Sequence, residues 1–139
     1  MSAFSYVLTP FLAWLVAGIL KFLINSIKAD RLAFDLIGYG GLPSNHSAIV
    51  SSMATLIGLK EGIQNPAFGV AISLAFIVIL DASSLRRQVG KHSIAINKLN
   101  NLSNQSPLFL RERMGHTSIE IVAGVVVGMA VAFGIWMLL

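Results

Sequence analysis

Charge is absent from three long stretches of the chain, 1–20, 62–80 and 121–139, and apolar residues dominate each of them. A helix crossing the hydrocarbon core of a bilayer needs about 20 predominantly apolar residues, so each stretch is long enough to span. A fourth uncharged stretch, 38–59, is more polar and contains Ser44, Ser47, Ser51, Ser52 and Thr55. Asn65-Pro66 separates it from the next apolar run, and a proline suits the first turn of a helix. The pattern predicts four helices, roughly 4–27, 46–60, 66–85 and 116–139, in one membrane-embedded unit over residues 1–139. Residues 97–107, with Asn97, Asn100, Asn101, Asn104 and Pro107, are too polar for a span and read as a loop. The second helix is short: about 14 residues rise about 21 Å against a core of about 30 Å. In the last helix Gly124-x3-Gly128 has the spacing that lets helices approach closely, which predicts packing within the chain more than a dimer contact.

Composition agrees with this pattern. The 139 residues are 55% hydrophobic and 12% charged, with mean hydropathy +0.78. Soluble domains carry about 25% charge, so the expected class is an all-α integral membrane protein, a small bundle of about four transmembrane helices. No cation precedes the first apolar stretch, and no small-x-small cleavage site comes before Lys21, so it reads as a retained span and not a signal peptide. With no cysteine, the chain has no disulfide, thiol nucleophile or cysteine metal site. The net charge of +4 sits in the loops between spans. That placement fits topology and anionic headgroups, not nucleic acid.

Threading the four helices brings nine of the ten Lys and Arg residues to one face and leaves only Lys60 opposite. The positive-inside rule makes the crowded face cytoplasmic. Both termini are then outside, the 29–45 and 86–115 loops inside, and the chain is a multi-pass protein of the cell (inner) membrane.

That same face gathers the polar chemistry. His116 and Glu120 are four residues apart, so on a helix they share a face. A carboxylate beside one imidazole nitrogen fixes the tautomer and raises the basicity of the other, which suits a histidine attacking phosphorus. By itself, His-x3-Glu at a helix start is an ordinary cap. His46 opens another helix, where Ser44 or Asn45 can cap and free backbone N–H groups favour an anion. A protonated histidine there can donate to a leaving oxygen. Arg86 and Arg87 follow the third apolar run, and guanidinium forks match phosphate oxygens, although arginines at that position also serve as topology anchors. Asp81 is expected to pair with one of them. Lys21 interrupts an apolar helix before its end, as a ligand or a snorkelling anchor.

These residues carry a resemblance. GGLPSNHSA (40–48), DASSLRRQVGK (81–91), Leu99-Asn100 and GHTSIE (115–120) together resemble the divergent branch of the type 2 phosphatidic acid phosphatase superfamily, related to the vanadium-dependent haloperoxidases. In that superfamily a Pro-Ser-x-His segment supplies a general acid and a later His-x3-Asp segment supplies a nucleophile with its orienting acid. The resemblance implies His46 as acid, His116 as nucleophile and Glu120 as orienter. Lys21 with Lys28 resembles the first motif, Lys-x6-Arg-Pro, with Lys28 in place of arginine and Ala29 in place of proline. In the third motif, Ser-Arg-x5-His, Arg111 stands one residue too close to His116. The phosphate clamp is therefore either Arg111 or the Arg86–Arg87 pair, and the pair is favoured. Ser44, Lys21 and Lys28 complete the implied phosphate-binding set.

The expected function is a membrane lipid-phosphate phosphatase that hydrolyses a phosphomonoester, such as phosphatidylglycerophosphate or phosphatidic acid, through a phosphohistidine intermediate. Cations and helix N-termini neutralise the phosphate, so neither metal nor cofactor is expected. Two alternatives stay open: a polyprenyl diphosphate phosphatase, and a non-catalytic lipid-binding subunit with a decayed phosphate site. The chain is about two helices shorter than typical lipid phosphatases of this type, which leaves room for a homo-oligomer among its partners, beside the lipid substrate and membrane lipids.

Overall fold

In a computed structural model, residues 4–32, 34, 41–102 and 109–138 are described. The regular secondary structure of those residues is helical throughout, with no strand among them. Helix α1 is Phe4–Ala29, α2 is Asn45–Glu61, α3 is Pro66–Leu80, and α5 is Ser118–Leu138. Between α3 and α5 the chain passes through a π-helical turn, Asp81–Leu85, directly into α4, Arg86–Leu102. Among the described residues three helices are long and apolar enough to cross a membrane: α1, α5 and the continuous helix Pro66–Leu102. The shorter α2, with 17 residues, rises only about 25 Å.

The third helix does not stop near 85, and residues 97–102 are helical, not loop. The asparagines misled the reading because polarity here marks a helix that faces protein and water, not a break. Gly90, Ser93 and Asn97 form the buried side of α4 at spacings of three and four. Asn97 clamps the segment that precedes α5: its Nδ2 donates to Leu110 O (2.8 Å) and Glu112 Oε1 (2.9 Å). Its Oδ1 accepts the Leu110 N–H at 2.9 Å. Asn104 and Pro107 lie outside the described residues.

The more polar stretch forms the centre of the bundle. Helices α1, α3 and α5 all pack on α2, which buries Ser47, Ala48, Val50, Ser51, Ser52, Ala54 and Leu56. Small side chains let neighbouring backbones approach, while the large apolar residues of the outer helices stay exposed for lipid. From α1 comes the row Ser5, Thr9, Ala13 and Ala17, all buried at i+4 intervals. From α5 comes Glu120, Gly124, Gly128 and Ala132 at the same interval.

Helix direction follows from specific contacts. At one end Lys60 Nζ donates to Ser5 Oγ at 2.6 Å and lies over the Tyr6 ring, while Tyr6 OH donates to Glu61. At the other end Asn45 stands within van der Waals reach of Gly18. Helices α1 and α2 are therefore antiparallel. Helices α2 and α5 are parallel: Gly124 abuts Ser44 and Ser47, and Gly128 abuts Ala48 and Ser51. The Gly124-x3-Gly128 spacing thus serves packing within the chain. Leu56, Ala132 and Ile135 close the far end of that seam as a small core.

Candidate functional site

Parallel packing of α2 and α5 places their N-termini side by side. Ser44 is the N-cap of α2, its hydroxyl accepting the Ser47 N–H at 3.3 Å. Its own N–H donates to Glu120 O at 2.9 Å, tying this start to the first turn of α5. Thr117 and Glu120 form a reciprocal cap on α5. The Glu120 N–H donates to Thr117 Oγ1 (3.3 Å), and Glu120 Oε2 accepts the Thr117 N–H (3.2 Å). The same carboxylate oxygen lies 3.0 Å from His116 Nδ1, in a pair that is over 90% buried. Glu120 is thus both cap and imidazole partner, two roles that the sequence presents as alternatives.

The His46 and His116 rings stand beside each other, with centroids 5.7 Å apart and planes inclined at 56°. They differ chemically. His116 has a carboxylate on Nδ1, which leaves Nε2 as its basic nitrogen. His46 Nδ1 is buried without a protein hydrogen-bond partner, as is Asn45 Oδ1. One imidazole is held and polarised, and the other is not.

Charged side chains gather near His46. Arg86, Lys21 and Asp81 lie within electrostatic reach of His46, and Lys21 also feels Glu120. Lys21 continues the i+4 row of α1 that buries Ala13 and Ala17, which turns it towards the bundle and not the lipid. Arg86 Nε pairs with Asp81 Oδ2 at 3.3 Å, the partner expected for that aspartate. Arg87 Nη2 approaches the His116 carbonyl oxygen at 3.5 Å. Two residues of the expected phosphate-binding set stand further out. Lys28 is exposed, about two turns beyond Lys21. Arg111 is also exposed, with its Nε donating to Arg113 O at 3.2 Å. The segment 109–117 is not helical, so helical geometry does not point Arg111 away from His116.

The π-helical turn positions His116. In it the Arg86 N–H donates to Asp81 O, one residue beyond the α-helical acceptor Ala82. Ala82 O accepts the His116 N–H instead, at 3.0 Å. Gly115 makes that approach with φ +89°, and a Cβ there would stand 3.1 Å from Arg87 N. Sequence reading overlooked this contact and the Asn97 clamp. The signals were the Gly115 directly before the histidine and an asparagine spaced with Gly90 and Ser93.

A model of the divergent PAP2 family matches residues 3–131. The uncharacterized membrane protein YuiD of Bacillus subtilis (strain 168) is 31% identical over 137 residues, covering 87% of each chain. No solved structure matches.

Proposed function

The chain belongs to the divergent PAP2 family, and on that premise we propose that it is a membrane phosphatase acting on a lipid phosphomonoester. One observation carries this reading: a buried histidine paired to a carboxylate stands beside a second, unpaired histidine where two helix N-termini meet. In the proposed reaction His116 Nε2 attacks phosphorus while Glu120 holds the Nδ1 proton and stabilises the imidazolium. The bond to the lipid alkoxide breaks and His46 gives that oxygen its proton. Water then attacks the phosphohistidine with His46, now neutral, as base, and inorganic phosphate leaves.

Negative charge on the phosphoryl oxygens is assigned to Arg86, Arg87 and Lys21 together with the N-termini of α2 and α5. This neutralisation works without a metal. The lipid part of the substrate has a place beside α2. An apolar groove lined by Pro10, Ile49, Val50, Met53, Ala71 and Leu74 begins about one helical turn beyond His46. The nine-to-one distribution of cations favours a site on the cytoplasmic face, for which phosphatidylglycerophosphate and phosphatidic acid are the candidate substrates.

Purified protein in detergent should release phosphate from a panel of phosphatidylglycerophosphate, phosphatidic acid and a polyprenyl diphosphate, with inhibition by vanadate. Preference for the diphosphate would move the substrate class. Lipid binding without turnover of any of the three would leave a non-catalytic subunit.

A further inference from the structure

Asp81 and Arg86 are five residues apart, a spacing that an α-helix sets about 140° round its axis, on different sides. Yet Arg86 Nε stands 3.3 Å from Asp81 Oδ2. The π-helical turn Asp81–Leu85 makes the meeting possible. Its wider ring closes a hydrogen bond from the Arg86 N–H to Asp81 O, so residue 86 stacks on residue 81 as i+4 stacks on i in an α-helix. The two residues are joined twice, through the backbone and through their side chains.

The side-chain contact uses one nitrogen. A carboxylate that only neutralised an arginine would gain most from both Nη atoms, in the bidentate geometry that makes such pairs strong. Asp81 takes Nε alone, and among the described residues no acceptor meets either Nη. The guanidinium keeps its two-nitrogen end open, and the side chain is 40% exposed, so a ligand can reach that end. Arg86 also lies within electrostatic reach of His46. The same turn seats the other histidine. Ala82, next to Asp81 and fully buried, accepts the His116 N–H at 3.0 Å. Two consecutive residues thus hold the backbone of His116 and the side chain of Arg86. Asp81 follows the 15 uncharged residues of α3, and an ionisable side chain at the end of an apolar span marks a functional site more often than a packing one. Single π-turns within α-helices cluster at functional sites as well.

We propose that Asp81 is a positioning residue of the phosphate site, fixing the Arg86 guanidinium by its Nε edge so that both Nη atoms meet phosphoryl oxygens beside His46. The inference rests on the reading of this site as one for a phosphoryl group. Asp81 itself touches no substrate and acts through Arg86. Its place matters more than its charge: the carboxylate holds the fork in one direction, and the π-turn holds the carboxylate.

A double-mutant cycle on the full chain in detergent tests this, read from orthovanadate affinity by titration calorimetry, which needs no turnover. Asp81→Ala should weaken orthovanadate binding roughly tenfold in the native background and less than about twofold in the Arg86→Ala background, at an unchanged melting temperature. Two further variants separate place from charge. Asp81→Asn, whose amide oxygen still accepts the Nε–H, should keep most of the affinity. Asp81→Glu keeps the charge but pushes the guanidinium out by one methylene, and should lose several-fold. Equal losses for Asp81→Ala in both backgrounds would overturn the proposal, because Asp81 would then act by a route other than Arg86. Tighter binding by Asp81→Ala would overturn it as well, since the carboxylate would then only repel the anion. So would a Glu variant that binds better than the Asn variant, which makes charge the whole effect. Native protein that binds no orthovanadate removes the phosphate site and this inference with it. Native protein that shows the coupling but turns over no lipid phosphate sinks the phosphatase reading alone.

Discussion

His116 Nδ1 and Thr117 N both meet the same carboxylate oxygen of Glu120, at 3.0 and 3.2 Å. One atom therefore fixes the imidazole and the start of its helix. Glu120→Gln keeps a side-chain acceptor for the cap but removes the charge that stabilises an imidazolium. We expect a fall in kcat of about 100-fold or more. The effect on thermal stability should stay below the value of one lost cap, about 1 kcal/mol. A large loss of stability with kcat nearly unchanged in the surviving folded protein would make Glu120 a structural cap alone.

The two histidines should respond differently to the leaving group. His116→Ala should abolish turnover of every substrate, since no intermediate can form. His46→Ala should slow a lipid phosphate far more than an activated aryl phosphate, whose leaving oxygen needs little protonation. Rates for both substrates measured side by side decide the matter. Equal losses for His46→Ala would remove the general-acid role.

Arg87 reaches the His116 carbonyl and Arg86 lies within electrostatic reach of His46, whereas Arg111 is bonded to the exposed segment around Arg113. A guanidinium that grips phosphate with two nitrogens is poorly replaced by ammonium. Arg86→Lys or Arg87→Lys should therefore lower kcat/KM at least roughly tenfold, about 1.4 kcal/mol of transition-state binding. Arg111→Lys should cost clearly less. The opposite ranking, at unchanged thermal stability, returns the clamp to Arg111.

A side chain at Gly124 would collide with the Ser44 carbonyl, and one at Gly128 with Ala48 O and Ser51 Oγ. Gly124→Ala and Gly128→Ala should each destabilise the protein by about 1–3 kcal/mol, as overpacking does. Gly124→Ala should also depress activity, because it moves the helix starts that hold His46 and His116. Gly134, where a Cβ meets nothing within 4 Å, is the control: Gly134→Ala should leave melting in detergent unchanged. Equal melting of all three variants would show that the seam is looser than described.

Single cysteines at Gln64 and Lys98 test orientation in intact cells, both positions being exposed. An impermeant thiol reagent should label 64 and spare 98. Labelling of 98 with protection of 64 would turn the site away from the cytoplasmic leaflet and its lipids.

Charge-free runs and one Asn-Pro break were enough to place α1, α2, α5 and the start of α3, because bilayer thickness leaves few alternatives. The positions of His46, His116 and Glu120 at two helix starts were legible too, since their spacing has a physical meaning there. Helix α4 was not. Asn97, Asn100 and Asn101 resemble a loop until Leu110 and Glu112 are known to lie against Asn97. The π-helical turn was also hidden, since the partner of the Ala82 carbonyl is His116, far along the chain. Local spacing cannot announce a hydrogen bond whose other half is so distant.

The serine-rich character of α2 has a consequence for how the protein is made. Ser51 Oγ donates to Val125 O, 74 residues later in the chain, and Ser44 and Ala48 are sealed by Gly124 and Gly128. As the nascent chain leaves the ribosome, α2 therefore emerges long before the surface that shields it. It can lean on α1 at once, but its α5-facing side waits until the last helix is synthesised. Lipid is a poor interim host for that side. Insertion should thus finish only when α5 arrives. A chain truncated before it should leave α2 exposed to membrane proteases, or outside the bilayer altogether.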